Sequence, residues 1–133
     1  MEDKIENVQN IVSYWKNSSD QDYKTMHHLN DSRDYHWALF LGHLVLEKLL
    51  KANYVSKFQK HAIFTHDLLR LAEKAEIELD AEWTDWLDEI STFNLNARYD
   101  NYKQDFYRRA SQDFTTLWIG RIEIIREWLM KKL

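Results

Sequence analysis

Apolar residues recur along this chain at spacings of three and four, the signature of amphipathic helices. Ile5, Val8, Val12, Trp15, Tyr23 and Met26 predict a first helix over about 4–29. Asn17-Ser18-Ser19-Asp20 predicts a break or kink in it, because these side chains compete for backbone hydrogen bonds. Asp31-Ser32-Arg33-Asp34 supplies turn and N-cap residues. A second helix, about 33–56, is apolar nearly all round, from Tyr35 and Trp37 through Leu44, Val45 and Leu46 to Leu50, and so is expected at the centre of the fold. Trp37 and Phe40 read as lying on different sides of it. Thr65 is the expected N-cap of a short third helix through Leu68, Leu71, Ala72 and Ala75. Asp80 caps a fourth over about 81–97, where Trp83, Trp86, Leu87, Ile90, Phe93 and Ala97 share a face. A fifth, about 104–132, carries Phe106, Ala110, Phe114, Leu117, Trp118, Ile125, Trp128 and Leu129.

Turn chemistry supports an all-α reading. Proline is absent, and the two glycines, Gly42 and Gly120, lie inside apolar runs rather than at turns. Hairpins need residues that tolerate positive φ, so a sheet protein is hard to build from this sequence. No repeat, low-complexity tract or linker interrupts the 133 residues, and a single domain over 1–133 is expected.

Charge and cysteine content remove several function classes. The chain has no cysteine, which excludes disulfides, thiolate chemistry and Cys-containing zinc sites. The net charge of −4 argues against salt-driven duplex DNA binding through a broad basic face, while leaving room for a local basic patch. No run approaches membrane-spanning length and no basic segment precedes an apolar one at the N-terminus, so no membrane association and a cytoplasmic location are expected.

Two features carry candidate chemistry. The first is Arg98, at the end of the fourth helix, with Tyr99 and Tyr102 beside it. A guanidinium on a packed scaffold is a fork for phosphate or carboxylate; an arginine at a helix C-terminus also often just faces the dipole and solvent. The second is a polar stripe on the second helix, where His36, Phe40, His43, Glu47 and Lys51 fall within roughly 80° of one another. It reads either as the one wet edge of a central helix or as a set of buried groups that need partners. His43 and Glu47 stand four apart, close enough for an imidazole–carboxylate contact. A metal on His36, His43 and Glu47 is disfavoured, because two turns separate the histidines by roughly 10 Å. No metal or other cofactor is expected. His27, His28, His61 and His66 fall on ends or loops and read as surface or capping residues.

Three segments in order resemble the HEPN domain family. Ser32-Arg33-Asp34-Tyr35-His36-Trp37-Ala38-Leu39-Phe40 with Leu46-Glu47-Lys48-Leu49-Leu50-Lys51-Ala52 resembles its second helix, and Thr65-His66-Asp67-Leu68-Leu69-Arg70-Leu71-Ala72 its short helix. Phe93-Asn94 with Ala97-Arg98-Tyr99 resembles the stretch before its last helix. The resemblance implies a five-helix up-and-down bundle, usually a homodimer, with arginine loops meeting at the dimer cleft. Many members are metal-independent ribonucleases with an Arg-x(4–6)-His motif; others are non-catalytic nucleotide- or RNA-associated modules, often paired with a minimal nucleotidyltransferase in toxin–antitoxin-like systems. Here the positions where the histidine belongs hold Lys103, Gln104 and Asp105. Lysine binds phosphate but moves protons poorly near neutral pH. A non-catalytic module is therefore expected, with a nucleotide/RNA site drawn from Arg98, Tyr99, Tyr102, Lys103, Lys51, His43 and Glu47. The alternatives are a ribonuclease in which Arg98 works with an atypical proton carrier, His43 foremost, and a purely structural interaction domain.

Overall fold

A computed structural model describes residues 7–133. Its regular elements are six helices: α1 (Val8–Asp31), α2 (Tyr35–Phe58), α3 (Leu68–Lys74), α4 (Ala81–Arg98), α5 (Asp100–Arg109) and α6 (Gln112–Lys131). Ile5 and the expected start of the first helix at residue 4 lie outside the described residues.

The central place of α2 follows from its composition. Ala38, Leu39, Val45, Leu46, Leu49, Leu50, Ala52 and Val55 are all fully buried, and α1, α3, α4 and α6 all pack on it. The α1–α2 pair is an antiparallel hairpin: Ser19 meets Val45, and Val12 packs with Ala52 and Val55. At the crossing of α1, α2 and α6, a Cβ on Gly42 would stand 2.5 Å from Ile122 Cδ1 and 3.2 Å from Met26 Sδ. Glycine is present there because three helices converge too closely for a methyl group.

Four expectations are corrected. The first helix runs unbroken through Asn17–Asp20, because its polar residues find partners on α2: Ser19 Oγ donates to the Val45 carbonyl (2.8 Å), and Lys48 Nζ donates to Ser18 Oγ and Asp22. The fifth helix is two helices. Ala110 leaves helical geometry at ψ 62, and Ser111 Oγ accepts from the Phe114 N–H to cap α6. The third helix is capped by Asp67, whose side chain accepts from the Arg70 N–H, while Thr65 Oγ1, two residues ahead of the cap, accepts from the Asp67 N–H. Asp80 caps α4 as expected, accepting from Trp83 N–H at 2.8 Å. Trp37 and Phe40 are neighbours rather than opposed, their rings edge-on at 5.9 Å. Among the described residues no helix is long and apolar enough to cross a membrane.

Candidate functional site

The amphipathic face of α4 fixes Arg98. Leu87, Ile90, Phe93 and Ala97 are buried along it, so the last turn is held in the core while Arg98 projects from the helix end. Asn94, one turn earlier and itself buried, clamps the guanidinium: its Oδ1 accepts from Arg98 Nε (3.1 Å) and Nη2 (2.6 Å), and its backbone carbonyl accepts from Nε (3.3 Å). The guanidinium lies 5.4 Å from the Tyr99 ring centre. Among the described residues Nη1 has no partner, so one edge of the fork remains open.

Tyr99 breaks the chain direction. With φ −99 and ψ 129 it ends α4 and begins α5, and it is half-exposed. Arg98, Tyr99, Asn94, Leu95, Ser91 and His66 line an open groove of about 420 Å³. Asp67 and Asp88 also border it, so positive charge is confined to the arginine end. Ser91 Oγ accepts from Leu68 N–H (3.0 Å), tying the α2–α3 loop to α4 and closing one side.

The polar stripe of α2 is buried, and the wet-edge reading is overturned: His36, His43, Glu47 and Lys51 are all buried. His43 Nε2 donates to the His66 carbonyl at 2.8 Å, which leaves its Nδ1 as a lone pair without a partner. Burial lowers the His43 pKa; the charges of His66 and Arg98 act in the same direction, against the His66 carbonyl and Glu47. Glu47 Oε1 accepts from His66 Nδ1 at 2.8 Å, and Oε2 from Lys51 Nζ at 3.1 Å. Lys51 Nζ also faces the rings of Trp15 (4.9 Å) and Phe64 (5.9 Å).

The residues singled out from the sequence therefore separate. Arg98 and Tyr99 line the groove. Glu47 and His43 stand behind it through His66. Lys51 partners Glu47 and is only 8% exposed. Lys103 sits elsewhere, over the Trp37 ring and in a pocket with His36, Gln104 and Tyr107, and Tyr102 is exposed on α5. His43, the expected substitute proton carrier, is enclosed and uses Nε2 on a carbonyl.

Sequence reasoning passed over His66. Its ring is 43% exposed, it lines the Arg98 groove, and its Nδ1–H donates to the buried Glu47 carboxylate, so Nε2 is the nitrogen left for other partners. The available signal was its place at the head of the Thr65-His66-Asp67-Leu68 segment, between a buried stripe and α4.

The HEPN domain model matches residues 12–133, nearly the whole chain. No curated protein matches the chain. No solved structure matches it.

Proposed function

The chain belongs to the HEPN domain family, and we propose that it is a non-catalytic nucleotide- or RNA-binding module whose ligand enters the Arg98 groove. The observation that carries this reading is the clamped guanidinium: Asn94 holds Arg98 from one edge, and Tyr99 stands beside it in the same groove. Nη1–H is left for a phosphate oxygen, and a half-exposed tyrosine ring offers a stacking face for a base. No proton transfer is required, in keeping with lysine at Lys103 where the resemblance expects histidine. A homodimer, with a minimal nucleotidyltransferase as protein partner, is the assembly this reading adopts from the family. Fluorescence anisotropy with a labelled oligouridylate tests the groove. Binding that weakens at least tenfold in Arg98→Ala and in Tyr99→Ala supports it; equal affinity in all three proteins removes it.

The Glu47–His66 pair favours a second reading, a metal-independent ribonuclease. A carboxylate on Nδ1 leaves His66 Nε2 able to take the proton from a ribose 2′-hydroxyl. The 2′ oxygen then attacks phosphorus and the 5′ oxygen leaves with a proton from solvent, giving a 2′,3′-cyclic phosphate, while Arg98 neutralises charge on the phosphoryl oxygens. RNA cleavage in EDTA that is lost in both His66→Ala and Arg98→Ala would establish this reading over the first. Intact RNA under the same conditions leaves the binding module.

A further inference from the structure

A second cluster of cations lies along α5. Arg33, Tyr35, His36, Tyr107, Arg108 and Ser111 line a pocket of about 300 Å³, and an adjoining one of about 180 Å³ shares His36 and Tyr107 and adds Lys103. Among the described residues Arg33 has no ion pair and no side-chain hydrogen bond, and Lys103, over the Trp37 ring, has no ion pair. Arg108 pairs with Asp105 at 3.5 Å, but both side chains are largely exposed, and such a pair exchanges readily for a phosphate. The nearby Asp34 is engaged by the Ser32 hydroxyl (2.8 Å). Burial and Lys103 lower the His36 pKa, against Asp34, which raises it. The His36 ring stands edge-on to Tyr107 at 5.1 Å. Tyr107 is 63% exposed, an aromatic face beside cations, the combination that tracks single strands. A pocket of about 630 Å³ beside α6 has no comparable surplus: its Lys57 is paired with Glu76, and Lys132 and Glu78 stand together in its lining.

The α2 stripe and α5 connect this pocket to the Arg98 groove. His36 and His43 are two turns apart on one face of α2, roughly 10 Å. His36 faces the basic pocket, and His43 holds the backbone of His66 in the groove. On the other side α5 begins at Tyr99 and ends beside Arg108, ten residues or about 15 Å later. That length matches about four stacked nucleotides at 3.4 Å each.

We propose that the pocket of Arg33, Lys103, Tyr107 and Arg108 is a second phosphate- and base-binding site for the same RNA strand, so that the ligand is a single-stranded oligonucleotide running along α5 rather than a mononucleotide. This rests on the Arg98 groove being a nucleotide or RNA site. The two arginines bind backbone phosphates, Lys103 adds a third cation, and Tyr107 stacks a base.

Anisotropy titrations of the full chain with labelled diuridylate and octauridylate over a salt series test both levels separately. Arg33→Asn with Arg108→Gln is the principal variant; asparagine tolerates the left-handed backbone at position 33 (φ 66). Both side chains are exposed and leave the core untouched. The double variant is expected to bind octauridylate about tenfold more weakly and diuridylate unchanged, with the log K against log salt slope for the octamer shallower by about 1.4, two phosphates at about 0.7 each. Tyr107→Ala is expected to lose about tenfold for the octamer with the slope preserved. Octamer affinity and slope unchanged in the double variant, while Arg98→Ala still abolishes binding, would overturn the second site and leave the first. No binding of either RNA by the wild-type chain would overturn both.

Discussion

Replacing Glu47 by leucine isolates the energetic core of the site. The substitution keeps a side chain of similar volume in a position that is almost wholly enclosed but removes the carboxylate that accepts from Lys51 Nζ (3.1 Å) and His66 Nδ1 (2.8 Å). His66, partly exposed, can turn to water. Lys51 cannot do so freely: with 8% of its side chain exposed, its ammonium would retain only the faces of Trp15 and Phe64. Breaking one side of a buried ion pair costs about 3–5 kcal/mol, and the small exposure Lys51 keeps, beside aromatic faces it already has, favours the lower end. The expected net loss is about 3 kcal/mol. With m near 2 kcal/mol/M, the urea midpoint falls by about 1.5 M. Adding Lys51→Met removes the stranded charge, and Glu47→Leu/Lys51→Met is expected to recover most of the loss, since apolar replacements of buried pairs are often neutral. Equilibrium urea unfolding followed by tryptophan fluorescence measures all four members of the cycle. A Glu47→Leu loss below about 1 kcal/mol, or a double variant no better than the single, would refute the reasoning that the stripe is a buried ionic network.

Two further outcomes follow from the packing and the histidines. Gly42→Ala is expected to destabilise by about 1 kcal/mol, overpacking against Ile122 and Met26 outweighing the helix-propensity gain. Gly120→Ala, with nothing within 4 Å of its Cβ position, is expected to stabilise by up to about 1 kcal/mol, so opposite signs in thermal melts check the crossing of α1, α2 and α6. Burial lowers the pKa of both His36 and His43. The unfolded chain therefore takes up their protons first, and the stability they confer is complete above about pH 6.5 and lost as pH falls toward their folded values. Urea unfolding between about pH 7.5 and 5 is expected to show stability falling with acidification, less steeply in His43→Gln; an unchanged slope in that variant would contradict the assignment.

The helices were legible where one local rule decided them. The apolar circumference of α2 put it at the centre, and Asp80 marked the start of α4 through its own side chain. The α5–α6 break was not legible, because the apolar spacing Phe106, Ala110, Phe114 passes through it undisturbed. Phe106 and Phe114 both reach Phe93, at 5.4 and 6.3 Å, from two different helices. A periodicity argument registers only that shared target; Ser111 was the local sign of the break. In the same way Asn17–Asp20 looked like a kink because the sequence does not display Val45 and Lys48 as partners across the hairpin. The Arg98 end of the site was readable from α4 alone. The role of His66 was not, since it depends on a carboxylate nineteen residues away in sequence and on a loop held by Ser91.

The most direct test is amide chemical-shift mapping of the isotopically labelled chain titrated with octauridylate in EDTA. Shifts that saturate together at His66, Ser91, Asn94, Arg98 and Tyr99, and extend along α5 to Tyr107 and Arg108, are the predicted result, and those in the groove should vanish in Arg98→Ala. Saturable shifts centred on surfaces away from the groove and α5, or shifts at the groove residues that persist unchanged in Arg98→Ala, would contradict the assignment of this groove as the RNA site.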